Sequence, residues 1–546
     1  MITRSGKGIS GMIAGAILLM GCGATQLVST PIENIDRMPL KVAELTEEEK
    51  KNWGHADLIT DTIPGMSVDK AYEEIIGNKK GKTVIVAVLD SGMDLKHEDL
   101  DDVLWTNSGE KPGNGKDDDG NGYIDDVHGY NFLGSSYNEQ LEYARILRLG
   151  IGDAEYQARA KAKLDSEYPE MVQNKQRYEQ ILQVVKSSDE AIKKHLGKDS
   201  YTKKEVSAIK TEDQTLAQQV SVIQQMYAYA PSIPEVIEEL SEGITYFSDQ
   251  VNYNLNVEFD GRKDVGDNPY DLNDVGYGNG NPMSAAPGED HGTHVAGIIA
   301  AERNNGLGVN GVANNVKIMS VRAVPNGDEY DKDIALGIRY AVDNGAKIIN
   351  CSFGKSFSPN PEWVYDALKY AASKDVLIVH AAGNDGLDLD SPENPNYPND
   401  QIGTDSEMVN NVITVGSLDN TYGSEMVSGF SNYGKSNVDV FAPGGGIYST
   451  MPGNTYEFQG GTSMAAPGVS GIAALIRSQY PKLTAPEVKQ ILINSGLTTS
   501  ASVIIAGDSD KNMPFNDISK SGKMVNAFNA LIMANKVAQG KIKISK

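Results

Sequence analysis

Six consecutive apolar residues, Val84-Ile85-Val86-Ala87-Val88-Leu89, end abruptly on Asp90-Ser91-Gly92. The run carries no polar residue at alternate positions. A strand made from it is therefore buried on both faces, the condition of parallel sheets covered by helices. Parallel neighbours need a crossover connection, usually a helix. The chain supplies that pattern. Strand candidates at 317–321, 348–351, 376–380, 412–416 and 438–442 are interspersed with helical patterns at 331–344, 362–373, 464–479 and 485–495. This predicts an α/β fold with a parallel sheet and helices on both faces. A short helix is also expected over 67–76, with Ser67 as its cap. Polar residues at the carboxyl end of such a strand stand where open α/β sheets carry their sites, which singles out Asp90.

From about 135 to 256 the alternation stops and the chain turns polar and helical. Met171, Tyr178, Leu182, Val185, Ile192 and Leu196 fall on one helical stripe, read as core packing. The segment is expected to be an inserted α-helical subdomain, a hairpin or small bundle, dividing one domain into parts 53–134 and 257–546. It falls between Asp90 and the histidine motif below, a position that flanks or overhangs a cleft.

Lys+Arg 49 against Asp+Glu 74 leaves a net charge of −25. A phosphate backbone needs a basic face, so nucleic acid is not an expected partner. Such acidity suits solubility or carboxylates reserved for cations. At the N-terminus, Arg4 and Lys7 precede an apolar stretch from Ile9 to Met20, too short to span a bilayer and suited to a secretory signal. It ends Leu19-Met20-Gly21-Cys22, which resembles a bacterial lipobox. That resemblance implies a lipoprotein signal peptide over 1–21, lipidation of Cys22, a polar tether over 22–52, and anchoring to a membrane of the bacterial cell envelope. Cys22 and Cys351 are the two cysteines, so no disulfide framework is expected.

Gly460-Gly461-Thr462-Ser463-Met464-Ala465-Ala466-Pro467 places a serine after two glycines and before small, helix-compatible residues. A helix starting there aims backbone N–H groups and partial positive charge at whatever the serine attacks. The same residues also suit a plain loop-to-helix junction with a serine cap. Asp290-His291-Gly292-Thr293-His294-Val295-Ala296-Gly297 places two histidines three apart, without the spacing and glutamate of a zinc peptidase helix. His291 reads as an imidazole base and His294 as a buried, hydrogen-bonded histidine. A serine nucleophile needs a base in reach, and the base needs a carboxylate to fix its tautomer. Asp90, His291 and Ser463 supply all three, in that chain order.

These motifs, with Val88-Leu89-Asp90-Ser91-Gly92, closely resemble those of the subtilisin-like serine peptidases, the subtilases, from about Trp53 to Leu531. The resemblance implies a subtilisin-like fold and a serine endopeptidase acting on proteins or peptides through an acyl-enzyme. Asn384, in Ala381-Ala382-Gly383-Asn384, would donate to the oxyanion beside the Ser463 backbone N–H. Ser352-Phe353-Gly354, with Ala382 and Gly383, would bind extended substrate backbone. Many secreted subtilases carry a folding prodomain, and 22–53 leaves no room for one of ordinary size. No organic cofactor is implied. The glycine-rich stretch 276–280 lacks the lysine of a phosphate loop and reads as a flexible entry to the histidine motif.

Asp117, Asp119, Asn121, the Tyr123 carbonyl and Asp125 place oxygen at alternate positions around Gly122, resembling an EF-hand-like Ca2+ loop. The twelfth position is His128, so Asp126 or a distant residue would complete the shell. The subtilase resemblance implies a second structural Ca2+ site at Asp99 and Asn305, with carbonyls of Arg303, Leu307 and Val309.

Overall fold

The computed structural model describes residues 29–544, apart from 34, 38–40, 42, 285, 287, 402 and 403. The stretch 1–21 expected to be a signal peptide and the expected lipidation site Cys22 lie outside the described residues.

Seven parallel strands form the central sheet: β1 Val84–Asp90, β2 Gly129–Asn131, β3 Val316–Arg322, β4 Ile348–Cys351, β5 Leu377–Ala381, β6 Val412–Leu418 and β7 Val440–Pro443, in the order β2-β3-β1-β4-β5-β6-β7. Alternation along β1 feeds two cores. Val84, Val86 and Val88 pack on one side with the helices His291–Ala300 and Thr462–Gln479. Ala87 and Leu89 pack on the other with Asp331–Asp343 and Pro361–Ser373. Burial on both faces is what the uninterrupted apolar run required. The helix Thr462–Gln479 runs through the first core almost wholly buried, which its alanines and glycines allow at close range.

Three local expectations are corrected. Strand β2 has no apolar run to announce it; Gly129-Tyr130-Asn131 pairs with Ser320–Arg322 at the sheet edge. The helix at 67–76 is α-helical only over Val68–Ala71 and continues as a π turn, Tyr72–Ile76. Ser67 does not cap it: its φ is 55°, and its buried hydroxyl accepts from Asn526 Nδ2 at 2.8 Å. The stretch 276–280 is not a loose entry. Asn279 exchanges both backbone hydrogen bonds with Asn131 at 2.9 Å. Gly278, at φ 84°, passes so close to the Asn131 carbonyl that no side chain fits.

Between β2 and the histidine helix lie Glu142–Leu149, the 43-residue Ala154–Leu196, Gln214–Met226 and Ile233–Asp249. Val185, Ile192, Val206, Ile223 and Ile233 build a core of their own there. A second cluster, Tyr143, Ile146, Ala160 and Leu255 with Phe357, fastens these helices to the loop after β4.

Candidate active site

Asp90 closes β1 and is 1% exposed. Its Oδ1 accepts the Ser91 N–H at 2.7 Å and pairs with His291 Nδ1, also at 2.7 Å. His291 opens the helix His291–Ala300, so a rigid element carries the ring. Gly292 makes the approach possible: its N–H donates to Ser91 Oγ at 3.2 Å, and its Cα lies against the Gly92 carbonyl. A carboxylate at Nδ1 holds the proton there and leaves Nε2 as the basic nitrogen of the neutral ring. Burial pulls the His291 pKa down, but the Asp90 charge and hydrogen bond, with Asp290 adding, outweigh it and the net shift is upward. The side chain keeps 32% exposure, open to a ligand.

Ser463 is the second residue of Thr462–Gln479, not its cap; Gly461 holds the cap position. Pro467, four residues on, has no N–H, so the Ser463 carbonyl loses its helical partner. The Ser352 hydroxyl replaces it, donating at 2.8 Å. Ser352 Oγ accepts in turn from Asn350 Nδ2 at 2.9 Å, and Asn350 Oδ1 accepts from the Ser470 hydroxyl at 2.8 Å. The helix is thus tied to the end of β4 at two points about two turns apart. The Ser463 hydroxyl itself donates to the Ser352 carbonyl at 3.1 Å. Asp90 and His291 are therefore hydrogen-bonded here, while the serine hydroxyl rests on the β4 end.

Asn384 follows β5. Its Oδ1 accepts the Thr462 N–H at 2.9 Å and the Thr462 hydroxyl at 3.0 Å, which turns Nδ2 away and leaves it free to donate. A Cβ built on Gly461 would lie 3.5 Å from Asn384 Nδ2 and 3.6 Å from the Ser463 backbone nitrogen. Two N–H donors therefore flank one point of space at a helix N-terminus, a setting for developing negative charge.

A cleft of about 840 Å3 opens at Ser463, lined by Phe353, Gly354, Gly383 and Asn384. Ser352 and Ala382, 3% and 0% exposed, stand behind that wall. Arg159, Ala162 and Lys163 of the long helix Ala154–Leu196 line the same cleft. His294 is fully buried, its Nε2 on the Glu457 carbonyl at 3.2 Å, and burial holds its pKa down to about 4.

The expected cation ligands divide. Asp99, 0% exposed, accepts from Asn305 Nδ2 at 2.7 Å, the Val309 N–H at 3.3 Å and the Tyr456 hydroxyl at 3.2 Å, so the second predicted pair is in contact. In the acidic loop, Asp119 gathers with Glu110 and Asp126. The other loop oxygens turn elsewhere. Asp117 accepts the Gly120, Asn121 and Gly122 N–H groups, Asp125 accepts those of Asn114 and Gly115, and Asn121 Oδ1 accepts that of Tyr123. His128 Nδ1 lies 2.8 Å from the Trp105 carbonyl.

An acid–imidazole pair, a helix-borne hydroxyl and a two-donor pocket thus stand at the carboxyl ends of β1, β4 and β5, where parallel α/β proteins keep their sites. The chain belongs to the subtilase family: that family's profile matches residues 81–515. It is 43% identical over 211 residues to a thermophilic serine proteinase of Bacillus sp. (strain AK1), covering 38% of this chain and 46% of the relative. It is 42% identical over 200 residues to thermitase of Thermoactinomyces vulgaris, covering 36% of this chain and 65% of that protein. Against subtilisin DY of Bacillus licheniformis the identity is 38% over 206 residues, covering 38% and 69%. The chain thus spans roughly half to two thirds of the first two relatives' length.

Sequence reasoning missed Asn350, Ser470, Thr462 and Arg159. Asn350 and Ser470 had an indirect signal: a proline four residues after the serine frees a carbonyl, a freed buried carbonyl needs a donor, and the Ser352 hydroxyl that supplies it is held by Asn350 and, through Asn350, by Ser470. Arg159 had none, because helix patterns do not say which polar face meets a distant loop.

Proposed function

We propose that this chain is a serine endopeptidase that hydrolyses peptide bonds in proteins through an acyl-enzyme. The observation that carries the reading is the 2.7 Å Asp90–His291 pair at the end of β1, with Ser463 beneath the two donors beside Gly461. In the working state the Ser463 hydroxyl leaves the Ser352 carbonyl and turns to His291 Nε2. The nitrogen takes the proton as Oγ attacks the peptide carbonyl carbon. The carbonyl π electrons move onto oxygen, held by Asn384 Nδ2–H and the Ser463 N–H. When the C–N bond breaks, the imidazolium returns the proton to the leaving amine; water, deprotonated by the same nitrogen, then releases the acid. Asp90 stabilises the imidazolium throughout. Phe353, Gly354 and Gly383 offer the walls along which an extended peptide lies.

Ca2+ is proposed as a structural ligand. All-oxygen donor sets suit a hard cation. Asp119 with Glu110 and Asp126 is such a set, and the buried Asp126 carboxyl, pushed up by desolvation, is one a cation would return to its ionised form. Asp99 with Asn305 becomes one only when Asn305, whose Nδ2 faces Asp99 and whose Oδ1 accepts the Leu307 N–H, turns its amide over. Asp117, Asn121 and Asp125 would join Asp119, Glu110 and Asp126 only by leaving their present backbone partners. Lipidation of Cys22 and residence on the bacterial envelope membrane complete the proposal, resting on the lipobox resemblance.

A fluorophosphonate probe tests the core claim. Labelling that needs both Ser463 and His291, with casein cleavage lost in Ser463→Ala, supports it. An intact fold that takes no label and cleaves neither casein nor peptides refutes it and favours a silent binding protein.

A further inference from the structure

The peptidase reading leaves the helical segment between β2 and the histidine helix without a task. Its long helix docks on the loop that continues the cleft wall. Tyr143 and Tyr156 close over Phe357 with ring centroids 6.0 and 5.6 Å away, and the Arg159 guanidinium carbon stands 5.6 Å from the same ring centre. Phe357 is 5% exposed and follows Gly354 by three residues. The docking turns Arg159 and Lys163, one helical turn apart, into the cleft that opens at Ser463.

Three cations line that cleft, and two are neutralised. Lys355 is buried against Glu142 at 2.7 Å and Asp331 at 2.9 Å. Lys163 pairs with Glu167 at 2.9 Å. Arg159 has the Phe357 ring beneath it and, among the described residues, no carboxylate partner. The anions lining the cleft are Glu329, Asp385 and Glu393. Glu329 is 2% exposed, and burial with neighbouring Asp328 and Asp331, against the pull of Lys355, holds its carboxyl up to about 8. Asp385 and Glu393 are exposed on the loop after β5.

We propose that Arg159 is a specificity residue: it receives an aspartate or glutamate side chain of the substrate, on the acyl side of the bond cut at Ser463. The inference rests on the peptidase reading above. The donors beside Gly461 place the attacked carbonyl at the Ser463 end of the cleft, so the side chains on its acyl side run between Phe353-Gly354 and Ala381–Gly383 toward Arg159. A guanidinium stacked on a ring keeps its fork free for a carboxylate. With a net charge of −25, the protein repels acidic peptides at long range, and a local unpaired cation offsets that repulsion where the peptide docks.

The test uses the full chain and fluorogenic peptides differing only in one acyl-side residue, Glu, Gln or Lys. Wild type is expected to favour Glu over Gln in kcat/KM by about tenfold at low salt, with the ratio shrinking as ionic strength rises. Arg159→Ala is expected to bring the ratio to about one, and Arg159→Glu to turn the preference toward Lys. Lys161→Ala removes an equal charge from the same helix, where Lys161 is exposed and paired with Asp165 at 2.6 Å, and is expected to keep the wild-type ratio. Equal cleavage of Glu and Gln peptides, a Lys preference in wild type, or a ratio that Arg159→Ala leaves in place would overturn the inference while the peptidase reading stands. No cleavage of any peptide, with no phosphonate labelling of Ser463, would overturn both.

Discussion

Substituting Gly292 by alanine probes the pairing on which the chemistry depends without removing any polar group. A Cβ at 292 would lie 2.0 Å from the Gly92 carbonyl oxygen and 3.3 Å from Asp90 Oδ1. Packed carbons do not approach oxygen closer than 3.0 Å, so residues 92 and 292 must part by at least 1.0 Å (3.0 minus 2.0). The clash is with backbone on the far side and the helix His291–Ala300 on the near side, so neither gives by rotating a side chain. His291 is the next residue along, and its 2.7 Å bond to Asp90 cannot absorb that separation and remain a hydrogen bond. Overpacking of this kind costs about 1–3 kcal/mol of stability, and a ~1 Å misplacement of catalytic groups costs about 100-fold in rate. Gly292→Ala is therefore expected to fold with a lowered Tm and to lose about 100-fold in kcat/KM on a peptide substrate. Its pH profile should also move, because an imidazole freed from Asp90 loses the interaction that raises its pKa. A variant that keeps kcat/KM within about threefold of wild type at the same pH would refute the argument that close approach at Gly292 holds the pair.

Ser352→Ala leaves the Ser463 carbonyl with no donor, since Pro467 cannot supply one; an unsatisfied buried acceptor costs about 1–3 kcal/mol. Steady-state kinetics should show kcat reduced about tenfold with KM nearly constant, and Ser352→Thr should restore most of it; an unchanged kcat in the alanine variant counts against the clamp. The sign of the His291 shift fixes the pH dependence. The base works neutral and its pKa is raised, so the acid limb of kcat/KM should lie above the ordinary ~6.5, and Asp90→Asn should move it down while cutting kcat by up to ~10,000-fold. The stability this pair contributes is full below the unfolded pKa and is lost as pH rises through the folded one. Chelation by EDTA should lower Tm, and Ca2+ at 100 times its Kd should return about 2.7 kcal/mol of stability; a Tm indifferent to both excludes a structural Ca2+.

How much of this was legible beforehand divides along the range of the interactions. Apolar runs with β-branched residues mark buried strands because every residue of such a strand must leave water, and β1, β3 and β4 lie where those runs fall. The Asp90–His291 pairing was equally legible, because each residue sits in a short motif whose glycines and small residues answer local demands: a tight turn, a close approach, a helix start. Strand β2 was not legible, since three residues at a sheet edge are held by the neighbouring strand and not by their own propensity. Nor was the pinning of 276–280 on Asn131, which is a long-range backbone pairing.

The sequence by itself determined which residue types the site owns and which segments are buried, since both follow from chemistry and periodicity within a few residues. Only the tertiary structure decided who meets whom. It set the Ser463 carbonyl on Ser352, turned Asp117 and Asp125 onto backbone N–H groups instead of toward Asp119, and laid Arg159 over Phe357 at the rim of the cleft. The Asp117 and Asp125 bonds close within their own loop, but the Ser463–Ser352 and Arg159–Phe357 contacts join residues more than a hundred positions apart, and they form because packing two cores against one sheet fixes distances that no local pattern encodes.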